Sequence, residues 1–243
     1  MKQVLLVIAL LLANMYKYLD NQGVILYEQK VNMHRRLPAD DQEARQYIPE
    51  FQTSKMELLF NKMDSLFRTV EYEEEEDFDM ESGGVHIKIR QPELAIFKNM
   101  TEKRSVEQRE FMGKKYLIEG DIAQTPWKIT GENKEILGYK CQQAMYNDTT
   151  QNRKVVAWFT GDIPCSSGPE MLGSLPGMIL EADVNDGEVV YTALKVDPKG
   201  LVDVKALKAP TSGKKMTREE FKNMVDEHMK QMGGGSGIRI IRN

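Results

Sequence analysis

Met178-Ile-Leu-Glu-Ala-Asp-Val-Asn-Asp-Gly-Glu-Val-Val-Tyr-Thr-Ala-Leu-Lys-Val196 decides the fold class. Two runs of mainly apolar, partly β-branched residues, Met178–Asp183 and Glu188–Val196, flank Asn185-Asp186-Gly187. Asn, Asp and Gly accept the positive φ that tight hairpin turns demand, so this stretch predicts two antiparallel strands. The same rhythm extends outward. Val85–Arg90, Leu94–Met100, Ser105–Phe111, Tyr116–Asp121, Trp127–Thr130, Ile136–Tyr146, Lys154–Thr160 and Val202–Ala206 read as strands, punctuated by Gln91-Pro92, Gly113, Asn133 and Pro198-Lys-Gly200. Towards the start, Gly23–Met33 alternates, with Ile25, Tyr27, Val31 and Met33 on one face. Lys55–Phe60 and Ser65–Tyr72 flank Asn61–Asp64; their β-branched and aromatic content favours a hairpin over a helix. Regular short strands with such turns mean an antiparallel sheet, not a parallel one with crossover helices.

Helices are expected only near the ends. Asp40–Ile48 reads as a short polar helix that stops before Pro49. Thr217-Arg-Glu-Glu220 is a capping box, in which the hydroxyl caps the first turn and the glutamate reaches back. Phe221, Met224, Val225, His228 and Met232 follow at helical spacing, and Gly233-Gly-Gly-Ser-Gly237 ends the helix. Ile238-Arg-Ile-Ile-Arg242 is a short alternating tail fit for an edge strand. With 243 residues, 41% of them hydrophobic, the chain is long enough for one generous core. It shows no internal repeat and no long linker. The expected organisation is a signal peptide over residues 1–20, an antiparallel β domain over 21–210, and a C-terminal helix with a Gly-rich tail over 211–243.

The leader is read from Met1-Lys2-Gln3 followed by the apolar run from Val4 to Ala13. One positive charge before about a dozen apolar residues is the order of a secretory signal, and the run is short of the ~20 residues of a membrane span. Ala13-Asn14-Met15 lacks the small-residue cleavage pattern, so an uncleaved anchor or a buried first helix remain alternatives. No cysteine lies near the end of the run, which disfavours a lipid anchor. The net charge is -4, and -5 for a chain starting at residue 21, because Lys2, Lys17 and Asp20 leave with the leader. An acidic balance argues against nucleic acid, which calls for a basic face.

Cys141 and Cys165 are the two cysteines, and an even count in an exported chain makes them a candidate disulfide. A hairpin about Asn147–Arg153 sets Cys141 opposite about position 159. Cys165 then lies ~20 Å further along a straight strand, whereas a bridge needs Cα atoms within ~7 Å. The bridge therefore requires the chain to turn back near Pro164; otherwise the two are separate buried thiols.

Metal and catalytic chemistry have few candidates. Met224, His228 and Met232 stand at i, i+4 and i+8 on one helical face, and thioethers with one imidazole suit Cu(I). The same stripe carries Phe221 and Val225, which equally describes a packing face. Glu73–Asp79 offers oxygen ligands for calcium without the spacing of a calcium loop, and reads as a solvated loop. His34, His86 and His228 make no zinc pattern. Cys165 or Ser166 with His34 or His86 lacks the glycine-flanked nucleophile arrangement of hydrolases. There is no phosphate loop and no dinucleotide fingerprint. Trp127 and Trp158, in or beside strands, fill the core or line a pocket.

One further stretch, Gly173-Ser-Leu-Pro-Gly-Met-Ile-Leu-Glu181, reads locally as a turn set by Pro176 and Gly177. With Ala157-Trp-Phe-Thr-Gly-Asp-Ile-Pro164 and Gly168-Pro169 before it, it resembles the signature of the GLPGLI family of Bacteroidetes envelope proteins. Trp127-Lys-Ile-Thr130, Lys134–Ala144, Leu59-Phe-Asn61 and Ser65-Leu-Phe67 are similar to further blocks of that family, so the likeness spans about residues 23 to 197. Gly173, Leu175, Pro176, Gly177 and Ile179 carry the signature, which here has Ser174 for its first Gly and Met178 for its second Leu. Cys165 falls outside the family pattern. The resemblance implies export to the periplasm or the periplasmic face of the outer membrane. It also implies a mainly β fold: one strongly curved antiparallel sheet or half-barrel like that of lipoprotein carriers, with helices plugging one side. It suggests an outer-membrane receptor or other envelope component as partner, and transfers no catalytic residue. The expected function is a non-enzymatic envelope binding or interaction protein with an apolar or peptide ligand and no cofactor. The alternatives are a copper-handling protein using the Met/His face and an enzyme whose site forms only in the fold.

Overall fold

The computed structural model describes residues 22–37, 42–70, 79–82, 85–88, 92–149, 152–198 and 206–232. The expected leader, the acidic run, the Gly-rich tail with Ile238–Arg242, and all of the Val202–Ala206 strand but Ala206 lie outside them. The architecture is mainly β. Strands run β1 (Gly23–Asn32), β2 (Phe51–Phe60), β3 (Asp64–Thr69), β4 (Asp79–Ser82), β5 (Val85–Lys88), β6 (Leu94–Asn99), β7 (Arg104–Phe111), β8 (Lys114–Asp121), β9 (Lys128–Ile136), β10 (Tyr139–Asp148), β11 (Arg153–Thr160), β12 (Met178–Val184), β13 (Val189–Asp197) and β14 (Lys214–Thr217). Helix α1 is Gln42–Tyr47 and α2 is Arg218–Met232. Twelve strands form one sheet in the order β14-β8-β7-β6-β3-β2-β1-β13-β12-β11-β10-β9; β4 and β5 pair by themselves. No described helix is long and apolar enough to cross a membrane.

Local sequence explains most of this. On β1 the alternating residues Ile25, Tyr27 and Val31 are buried, and Met33 enters a 3-10 turn capped by Asn32. Asn185 and Asp186 take φ of 55° and 51° and Gly187 88°, which closes the β12–β13 hairpin as its residues predict. Asn61 Oδ1 accepts from the amides of Met63 and Asp64 and so turns β2 into β3.

Two expectations are corrected. The single strand Ile136–Tyr146 is broken: Leu137 and Gly138, at φ 51° and 83°, turn β9 back along β10, and β9 runs through Asn133 to Ile136. A leucine in a left-handed turn position carries no turn signal, and it is tolerated here because its side chain projects into solvent. The sheet is also mixed, since β14 pairs in parallel with β8. Gly213, at φ 135°, permits it: a Cβ there would sit 2.9 Å from the Tyr116 carbonyl carbon.

The sheet curls strongly without closing into a barrel. Bulges between Leu26 and Tyr27, Trp158 and Phe159, and Gln142 and Ala144 add local twist and bend. The packing measures the curl. Arg109 on β7 reaches Glu170, and Trp127, just ahead of β9, reaches Gly173. Those strands are nine steps apart in the sheet, roughly 40 Å if it were flat. Glu170 and Gly173 are three residues apart, at most about 11 Å. The sheet therefore wraps round the connection 161–177.

Candidate functional site

The connection between β11 and β12 is buried on alternate residues as it enters the curl: Ile163, Cys165 and Ser167 point in while Asp162, Pro164 and Ser166 point out. It then doubles back. Leu172 N donates to Pro169 O at 3.0 Å, Ser167 pairs with Gly173, and Ile179 N donates to Ser167 O at 3.0 Å. The turn near Pro164 that the sequence asked for is thus spread over residues 163–173. Glycines mark where the loop is closely approached by backbone or side chain. An added Cβ at Gly177 would overlap the Thr160 carbonyl oxygen, and one at Gly168 would stand 2.8 Å from Ile179 Cβ. In the signature itself Leu175 and Ile179 are buried, Pro176 is exposed, and Ser174 holds φ 66°.

Polar groups of the sheet pin this loop from several strands. Lys98 of β6 is 1% exposed, and its Nζ donates to Gly168 O at 3.1 Å and Leu172 O at 2.8 Å. Ser65 and Ser167 share a hydroxyl hydrogen bond of 2.9 Å, Tyr27 OH donates to Ile179 O at 2.6 Å, and Trp127 Nε1 donates to Gly173 O at 2.8 Å. Beside them Glu170, itself at φ 46°, accepts from Tyr191 OH at 2.6 Å and lies 3.7 Å from Arg109. Arg109 Nε donates to Glu107 at 3.0 Å, and Glu107 also meets Arg218 at the start of α2.

Burial sets the electrostatics. It brings the Lys98 amine down to about 7, partly countered by Cys165, Glu107 and Glu170. For Arg109 burial works against the charge, yet Glu170 and Glu107 outweigh it and hold the guanidinium above its usual value. Burial, then the adjacent Glu170 carboxylate, keeps Tyr191 protonated well beyond the usual phenol range. These groups are directed at one another and at loop carbonyls, so the cluster reads as a fixed clamp.

Sequence reasoning missed the clamp. The signal was there in part: Ile96 and Lys98 share one face of β6, Ser105, Glu107 and Arg109 one face of β7, and the register pairs Lys98 with Ser105 and Ile96 with Glu107. Three charges on inward positions of neighbouring strands imply a buried polar partner. What supplies it, a loop from β11, is not local information.

Both cysteines are free thiols and buried, so the candidate disulfide between Cys141 and Cys165 does not form in this structure. Burial pushes each thiol up to about 11. His34 Nε2 bonds Ile48 O at 2.7 Å, and His86 lies on β5 of the separate two-stranded ribbon. The terminal helix forms with its capping box: Glu220 N donates to Thr217 Oγ1 at 3.1 Å and Thr217 N to Glu220 Oε2 at 2.7 Å. Phe221 and His228 of its stripe face the sheet margin. Phe221 meets Phe111 and Tyr116 edge-on at 6.3 and 5.6 Å, and His228 meets Phe111 at 5.5 Å. Met224 and His228 line an open pocket of about 360 Å³; the Met232 side chain lies outside what is described. Among the described residues no group of three or more His, Cys, Asp or Glu is placed to hold a metal ion.

Comparison with known proteins covers the same loop. Residues 145–181, from β10 through the signature into β12, match the model of a Bacteroidetes-associated family described as a protein of unknown function, Porph_ging. No curated protein matches the chain. Among solved structures, PNGF-II in a C2 crystal form is 15% identical with a TM-score of 0.55, over 86% of this chain and 33% of that one. PNGF-II in a P21 form is 16% identical with a TM-score of 0.54, over 86% of this chain and 34% of that one. The chain thus spans about a third of those structures, and the likeness is one of fold.

Proposed function

We propose that this chain is an exported envelope protein of the GLPGLI type, acting in the periplasm or at the periplasmic face of the outer membrane. It works through contacts on its outer face and rim, with no catalytic step of its own. One observation carries the choice of surface contact over enclosure. The hollow of the curved sheet, where a carrier of this shape would hold an apolar molecule, is filled by the chain's own residues 163–177. Ile163, Cys165, Leu172 and Leu175 occupy the apolar space, and the clamp of Lys98, Glu170 and Tyr191 the polar space. A peptide or an outer-membrane receptor would then be met at the surface. The leader motif and the signature stretch support the compartment.

Native mass spectrometry of the protein purified from the envelope tests the reading, together with fractionation of the cells. The expected result is a periplasmic or outer-membrane fraction containing the chain at its own mass. A stoichiometric lipid extracted with it would overturn surface contact in favour of a carrier. Recovery in the cytoplasm would overturn the envelope role.

A further inference from the structure

The pocket between α2 and the β7–β8 turn carries more than the packing of a helix. Met112 sits at the tip of that turn, at φ 52° with Gly113 at 71°, and is 63% exposed. A two-residue turn with both φ positive favours Asn-Gly. Met112 is tolerated there as Leu137 is in its own turn, with its side chain exposed, and the thioether is left accessible. Met112 lines the same pocket as Met224 and His228, with Phe111 and Tyr116 as an aromatic wall and Lys114 and Glu227 as its two charged groups. The Nε2 atom of His228 is shielded from solvent and has no hydrogen-bond partner among the described residues. A buried imidazole nitrogen without a partner carries an unmet polar demand. Two thioethers and one neutral imidazole nitrogen form a soft donor set, which selects Cu(I) over hard divalent ions.

We propose that this pocket is a Cu(I) site, with the sulfurs of Met112 and Met224 and His228 Nε2 as its ligands. The helix places Met224 and His228 one turn apart, and the hairpin supplies the third donor. The sequence pattern alone proposes Met232 for that place. Glu227 balances the charge of Lys114 in the same lining, Lys114 is exposed and free to extend into solvent, and the aromatic wall shields the ion. This role is separate from partner binding and leaves the loop clamp untouched.

Anaerobic titration of the full-length chain with Cu(I), in competition with a chromophoric chelator, tests the site when combined with 15N spectra of its imidazoles. The chain has only three histidines, and His228→Gln identifies the relevant resonance. Saturating Cu(I) is expected to shift the His228 Nε2 resonance. Met112→Leu, a change at an exposed turn that spares the core, is expected to weaken the binding that moves it by about tenfold or more. Met232→Leu is expected to leave it unchanged. The thiols of Cys141 and Cys165 are the same in every variant, and copper taken up there would not move His228. A His228 resonance that ignores Cu(I), or Met112→Leu binding as tightly as the parent, overturns the site. A loss confined to Met232→Leu also overturns it, by removing Met112 from the ligand set.

Discussion

At the residue scale the signature is backbone geometry. Gly177 has no room for a side chain, because the Thr160 carbonyl stands where a Cβ would go. Gly177→Ala forces backbone apart and is expected to cost about 3 kcal/mol or more in urea unfolding. Ser174 is the opposite case. Its left-handed φ costs a non-glycine residue about 1 kcal/mol, so Ser174→Gly relieves strain while adding unfolded-state entropy. The expected net change is about 0 to +1 kcal/mol, and a clear loss would show that the Ser174 side chain has a role of its own. Lys98 makes a prediction about pH. Folded, its amine titrates near 7; unfolded, near 10.4. Between those values the unfolded chain holds a proton that the folded chain has released, so stability rises with pH. Below about 7 both states hold it and the slope vanishes. The buried thiols act with opposite sign, but only as pH climbs past about 8.5, where unfolded cysteine ionises. From pH 7 to 8.5 the parent is expected to gain about 1.5 kcal/mol more than Lys98→Met. Parallel pH profiles for the two would remove Lys98 as the source.

At the element scale the sequence was most legible where punctuation was chemical. Asn185-Asp186-Gly187 and Asn61–Asp64 placed two hairpins, and Thr217 with Glu220 placed the start of α2, because each residue satisfies backbone demands within four positions of itself. The cap is separable from the sheet. Thr217→Ala is expected to cost about 1 kcal/mol, seen as faster amide exchange at the start of α2 while β7 and β8 keep their protection. Slowed or unchanged exchange there would mean that packing of Phe221 on Tyr116 alone holds the helix. Legibility failed where one element depends on a distant one. Lys-Lys-Met-Thr at 214–217 has no strand pattern; it pairs because the open edge of β8 lies beside it and Gly213 lets the backbone approach. Leu137-Gly138 turns because register with β10 demands it, not because leucine favours the turn. The clamp was half legible, as inward charges whose partners come from a loop more than sixty residues later in the chain.

At the scale of the whole molecule, one loop spans a sheet whose curl brings distant strands to it. The tie runs from β7 through Arg109 to Glu170, on to Tyr191 of β13, and from Gly173 to Trp127 beside β9. If the curl is fixed by this tie, removing one member strands the others in a buried site. Glu170→Ala leaves Arg109 and the Tyr191 hydroxyl without their shared carboxylate, an expected loss of about 3 kcal/mol. Because the groups touch, Glu170→Ala and Arg109→Ala should not add, and a double-mutant cycle is expected to return about 1–3 kcal/mol of coupling. The structural readout is more discriminating than the energy. Glu170→Ala should lower amide protection of β7 and of residues 168–173 together, while β1 and β2, joined along ten consecutive residue pairs, stay protected. Protection lost in the loop alone would mean that the sheet keeps its curl unaided. The bulges at Leu26, Gln142 and Trp158 would then be its sufficient cause, and the loop a filling rather than a brace.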